Sequence, residues 1–204
     1  MPPAPDPATP RTAEAGPAAG ALRRRLEGIN LYLVGMMGAG KSAVGRPLAA
    51  ALGYRFIDAD LVLEQACGRT IPEIFAAEGE EAFRSIESSV LDQIAQWHSL
   101  VVATGGGVVT RPRNWGSLRQ GVVVWLDAPE ELLLQRLRAD PTPRPLLTGP
   151  DGAPRLRALL AERRPLYGEA DLSVEQAAGD DPERVAQRVL EKLPVILKRA
   201  GGCP

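Results

Sequence analysis

Gly35-Met36-Met37-Gly38-Ala39-Gly40-Lys41-Ser42 spaces glycines, a lysine and a hydroxyl as G-x-x-x-x-G-K-S. That spacing suits one task, the holding of a polyphosphate. Glycines let successive backbone N–H groups turn inward around a phosphate, and a helix opening at the lysine adds a favourable dipole. Lys41 would reach the β- and γ-phosphates as a point charge, and the Ser42 hydroxyl would ligate Mg²⁺. The residues expected to cradle ATP are therefore Gly38, Ala39, Gly40, Lys41, Ser42 and Ala43.

Other residues suit the far side of a phosphoryl transfer. Phe56-Ile57-Asp58-Ala59-Asp60 ends an apolar run in two carboxylates two positions apart. Such a reaction needs one carboxylate near the metal and one near the acceptor hydroxyl. Asp58, closer to the strand, suits Mg²⁺; Asp60, one step further out, suits the acceptor. Asp60 can equally cap a helix beginning at Leu61, and residue chemistry alone favours the cap. Arg84 and Arg163 carry planar forks that match a carboxylate. Arg84 can also form an ordinary helix pair with Glu87, three residues on. Gly105-Gly106-Gly107 permits positive φ and a close approach of backbone to ligand, or simply a tight turn. Val122-Val123-Val124-Trp125-Leu126-Asp127 is an apolar run ending in Asp, but Pro129 and Glu130 mark a helix start, so Asp127 reads as a cap and not a metal ligand.

These groups need a scaffold that brings distant segments together. Apolar runs at 29–34, 54–57, 100–104, 121–126 and, more weakly, 171–175 read as strands. The first four lack clean alternation, as befits strands buried on both faces of a parallel sheet. Helical patterns fill 42–52, 61–66, 71–77, 80–97, 129–139, 153–168 and 181–199. Strand–helix alternation predicts a three-layer α/β fold around a parallel sheet. Pro47 falls within the first of those helices, so a kink near Ala43–Pro47 or a shortened helix is expected. Asp140 to Pro154 carries five prolines and reads as a lid around 140–154, with Arg144 on it. An arginine there can swing onto the transferring phosphate or can merely face solvent, and composition does not choose. Residues 1–25 read as a disordered Pro/Ala-rich extension and 26–200 as the folded domain.

The bulk properties exclude several classes. The net charge of −1 gives no basic field for nucleic acid. No apolar run is long enough to span a bilayer. Cys67 and Cys203 lack metal or redox spacing, which fits a reduced, cytoplasmic protein. A monomer is expected.

Taken together the motifs resemble shikimate kinase over about residues 30–175. The resemblance lies in the P-loop with Gly45-Arg46, the Asp58-Ala59-Asp60 strand end, Ile74-Phe75 through Phe83-Arg84 and Glu87, the triple glycine, Arg144-Pro145-Leu146-Leu147, and Arg163 before Pro165-Leu166-Tyr167. It implies a nucleoside-monophosphate-kinase-like P-loop fold with a five-stranded parallel sheet. It implies transfer of the ATP γ-phosphoryl to the 3-hydroxyl of shikimate, on the route to chorismate and aromatic amino acids. Asp60 would then be the catalytic base, alongside Lys41 and Arg144. Asp58 would support Mg²⁺ with Ser42. Arg84, Gly106 and Arg163 would hold the shikimate carboxylate, with Phe75 and Phe83 lining the pocket. Arg144 would meet the ATP phosphates. Arg136 or Arg138 would lie beside adenine, and the spacing does not say which.

Overall fold

The computed structural model describes residues 17–140, 142, 145–147 and 152–200. Arg144 lies outside the described residues, as does much of the expected lid. The elements run α1 (Pro17–Leu26), β1 (Leu31–Val34), α2 (Lys41–Leu52), β2 (Arg55–Asp58), α3 (Ala59–Cys67), α4 (Ile71–Ile94), β3 (Leu100–Ala103), α5 (Pro112–Leu118), β4 (Val122–Asp127), α6 (Glu130–Ala139), α7 (Gly152–Tyr167), β5 (Leu172–Glu175) and α8 (Pro182–Ala200). The five strands form one parallel sheet in the order β2-β3-β1-β4-β5.

β1 and β3 are buried along their whole length, which is why neither shows alternation in the sequence. Register places Val34 beside Trp125 and Asp58 beside Ala103. The carboxyl ends of β1, β2 and β3 therefore stand side by side. In such sheets ligands bind beyond the strand carboxyl ends, and here those ends carry the glycine-rich loop, the two aspartates and the triple glycine.

The structure departs from the sequence reading in three places. The segment 17–25 is not an extension: it belongs to α1, whose Leu22 and Leu26 are buried in the core. Arg23, Arg24 and Arg25 occupy the last turn of that helix, where positive charge meets the negative end of the dipole. α2 runs unbroken through Pro47. Its buried face of Val44, Leu48, Ala49 and Leu52 holds the helix in place, and this packing outweighs one missing backbone bond. α5 and the single 3₁₀ turn before it, Val108–Thr110, have no counterpart in the sequence reading. That segment is too short for periodicity to register. Asn114 and Trp115 tie it together by donating to the Val108 carbonyl at 2.7 Å and the Val109 carbonyl at 3.1 Å. The break expected between 77 and 80 is present: Gly79 leaves the helical region at φ 79, ψ 178, a conformation open to glycine alone.

Candidate active site

α2 begins at Lys41 directly after Gly40, which sits in the left-handed region at φ 78 and provides no side-chain cap. The first-turn amides of α2 thus point toward the loop without a side-chain acceptor, the arrangement that favours an anion. The Lys41 ammonium folds over the loop and donates to the carbonyls of Gly35 at 2.8 Å and Met36 at 3.1 Å. Gly45 is required for a different reason: a Cβ there would run into the Phe56 ring.

Asp58, not Asp60, caps α3. Its Oδ1 accepts from the amides of Asp60 at 3.1 Å and Leu61 at 3.4 Å, while its Oδ2 accepts from the Ser42 hydroxyl at 2.5 Å. The helix starts at Ala59, two positions earlier than capping by Asp60 would require. Asp60 lies in the first turn with its carboxylate toward Gly105. Burial pushes that carboxyl up to about 6; Glu87 adds to the rise, and Lys41 opposes it.

Arg84 does pair with Glu87, as helix spacing allows, but the pair is buried at 6% and 5% exposure. Its Nη1 donates to Glu87 Oε2 at 2.8 Å and its Nη2 to Glu80 Oε1 at 3.1 Å. Burial acts to lower the Arg84 guanidinium, and the two glutamates outweigh it and hold it raised. Burial lifts the Glu87 carboxyl against the pull of Arg84. Glu87 Oε1 has no hydrogen-bond partner, nor do Nε and Nη1 of Arg163, which is 3% exposed. Buried donors of a charged group are normally satisfied, so these two Arg163 nitrogens stand out as donors open to an acceptor.

None of the three glycines has a positive φ, so left-handed turning does not explain them. Space does. A Cβ on Gly107 would fall on the Arg84 guanidinium, one on Gly105 on Glu87 Oε1, and one on Gly106 within 3.2 Å of the Met37 amide nitrogen. The bare backbone lets the strap lie between the Arg84–Glu87 pair and the phosphate loop.

A single cavity of about 730 Å³ collects these groups. Ser42, Asp58, Asp60, Arg84, Glu87, Gly105, Gly106, Gly107 and Arg163 line it, with Phe75 and Phe83 among the apolar wall. The two phenyl rings sit 4.6 Å apart, and the Arg84 guanidinium lies 5.1 Å from the Phe83 ring centre. Thr142, Pro145 and Leu146, from the expected lid, also reach the cavity.

Asp127 is not the cap of α6, a position that Pro129 takes. It ends β4 and takes a two-pronged bond from Arg164, at 3.1 and 2.6 Å. Arg136 is the arginine that meets the phosphate loop, donating to the Gly38 carbonyl at 3.3 Å and to Gln176 Oε1 at 3.0 Å. Gln176 in turn donates to the Ala39 carbonyl at 2.9 Å. Sequence reasoning missed Gln176, and nothing in its neighbourhood along the chain signals the contact.

A sequence model of the shikimate kinase family matches residues 37–194, a span that holds every residue of this cavity. The chain belongs to the shikimate kinase family. The shikimate kinase of Synechococcus sp. (strain RCC307) is 62% identical over 180 residues, covering 88% of this chain and 92% of its own. That of Prochlorococcus marinus (strain MIT 9313) is 55% identical over 181 residues, 89% of this chain and 94% of its own. Among solved structures, shikimate kinase from Acinetobacter baumannii in complex with shikimate aligns with a TM-score of 0.80 at 42% identity, covering 89% of this chain and 99% of that one. A gluconokinase from Sinorhizobium meliloti 1021 shares the fold, with a TM-score of 0.55 at 19% identity over 87% of this chain and 97% of that one.

Proposed function

We propose that this cavity phosphorylates shikimate at its 3-hydroxyl with ATP, yielding shikimate 3-phosphate and ADP. Family membership supports the reaction. The observation that carries the site assignment is the buried Arg163, whose Nε and Nη1 lack partners in the same cavity as Arg84 and Asp60. In this reading Arg84, Arg163 and the backbone at Gly106 hold the acceptor carboxylate, and the Phe75–Phe83 wall takes the ring.

Asp60 accepts the proton from the attacking hydroxyl. A base held at about 6 is mostly ionised at neutral pH yet still basic enough for transfer. Because Asp58 takes over the cap, both oxygens of Asp60 are available to the substrate. Lys41 releases its own loop carbonyls to meet the phosphates. Little covalent work falls to the protein, so its contribution is positioning and charge neutralisation. Arg136 flanks the phosphate loop and is assigned to the adenine side, in preference to Arg138. Arg144 is assigned to the transferring phosphoryl on the family resemblance.

Mg²⁺ would be held by the Ser42 hydroxyl and Asp58 carboxylate. Two hard oxygens beside the phosphate loop fit an ion that keeps several waters and takes the rest of its ligands from phosphates. When bound it would supply charge neutralisation on the β- and γ-phosphates. Among the described residues no helix is long and apolar enough to cross a membrane. A cytoplasmic monomer remains our reading.

The test is ADP release in a coupled assay with Mg²⁺ and ATP, across shikimate, quinate and gluconate. A large shikimate-dependent rate is expected. Turnover with gluconate alone would overturn the pocket assignment and keep the fold.

A further inference from the structure

Tyr167 takes part in none of the steps above, yet it is completely buried beside the site. It follows Arg163 by four residues on α7, so the two side chains share one helix face. Its hydroxyl donates to the Gly106 carbonyl at 2.5 Å. Its ring stacks on Trp125 with centroids 6.0 Å apart, which fixes the ring from the other side. Burial raises the phenol to about 12 against the nearby Arg163 charge, so the group stays a donor at any working pH.

The acceptor of that bond is the middle residue of the triple-glycine strap. Three consecutive glycines lose more conformational freedom on ordering than any other triplet, and nothing in their own side chains restrains them. The carbonyl of Gly106 and the N–H of Gly107 belong to one planar unit and point in opposite directions. Holding the carbonyl on Tyr167 therefore turns the Gly107 N–H away from Tyr167. A donor on the carbonyl also polarises the unit and strengthens that N–H as a donor. The same unit carries the surface on which the Arg84 guanidinium rests, since a Cβ on Gly107 would fall on it. Both Gly106 and Gly107 line the cavity.

We propose that Tyr167 is a positioning residue for acceptor recognition: its hydroxyl pins the Gly106–Gly107 peptide plane and so sets the backbone and Arg84 that receive the acceptor carboxylate. This rests on the carboxylate clamp described above. It deepens that reading by adding a restraint from α7, next to Arg163, on the one carbonyl of the strap between those that the turn itself holds, Gly105 by the Val108 amide at 3.2 Å and Gly107 by the Thr110 amide at 3.0 Å.

Tyr167→Phe removes the hydroxyl and keeps the ring. Binding is measured by calorimetry for shikimate and for its methyl ester, which lacks the negative charge, and for ATP. The pin predicts a shikimate Kd raised about tenfold or more, with the ester and ATP constants within about twofold of wild type. Trp125→Phe is the packing control: it is expected to lower the melting temperature while the shikimate-to-ester ratio holds. If Tyr167→Phe leaves shikimate binding unchanged, or weakens acid and ester alike, Tyr167 is a packing residue and the proposal is wrong. A wild-type enzyme that binds shikimate no better than the ester would overturn the clamp, and the pin with it. A wild-type preference that Tyr167→Phe preserves would overturn the pin alone.

Discussion

Asp60→Asn should make the protein inactive and more stable at once. The unfolded carboxyl titrates near 3.8, whereas burial holds the folded one at about 6. Between those values the folded state binds a proton that the unfolded state has released, so stability falls as pH rises through that window. Above it the full difference applies, at about 1.4 kcal/mol per pH unit of separation, or about 3 kcal/mol in total. Asparagine keeps the shape and removes both the desolvated charge and its repulsion by Glu87. Urea unfolding of both proteins at pH 8 should show the variant ahead by about 1–3 kcal/mol. At pH 5 the wild-type group is mostly protonated when folded, and the gap should shrink to about half. The denaturant slope should not change, because the same surface is exposed. Turnover with shikimate should be lost while ATP still binds. A variant no more stable than wild type at pH 8, or a gap that does not narrow with acid, would refute the claim that Asp60 is held against its own desolvation. Near-normal turnover would refute its role as base.

The same group predicts the acid side of the rate profile: kcat/KM should fall about tenfold per pH unit below about 6, and a limb near 4 would point to an unburied base. Arg163→Met should weaken shikimate binding by about 100-fold in calorimetry, the loss of charge-assisted bonds worth about 3 kcal/mol, with little change in melting temperature; an unchanged Kd would count against the clamp. Arg84→Ala should do that and also destabilise the fold by about 3–5 kcal/mol, because it strands Glu87 in the interior; equal stability would mean Glu87 is neutral when folded. Gly107→Ala places a methyl on the Arg84 guanidinium and should raise the shikimate KM at least about tenfold while leaving the ATP KM near wild type; a normal shikimate KM would show that the strap yields freely.

Much of the scaffold was legible because its signals are local. A buried strand, a glycine loop and a helix start lie within 25 residues, and each follows from backbone freedom or apolar run length. The two-part helix around Gly79 was readable for the same reason. The site was legible as a set of residue types and less so as roles. Asp58 and Asp60 are two positions apart, and no spacing rule says which of them caps α3; the start of the helix at Ala59 decides it. Arg84 and Glu87 look like a surface pair until the strap and α7 cover them. Asp127 has every local mark of a cap, and only the packing of α7 brings Arg164 against it.

What the sequence by itself determined is the five strands and the helices between them other than α1 and α5, the order in which they alternate, and the phosphate chemistry of residues 35–42. These rest on interactions a few residues long, so a linear reading captures them. Only the tertiary structure decided which polar groups are left in want of a ligand and which are already satisfied. Tyr167 meets Gly106 across 61 positions and Gln176 meets Ala39 across 137. Contacts at such separations leave no trace in local pattern, because the sheet order that creates them is fixed by burial of all five strands together and not by any one segment.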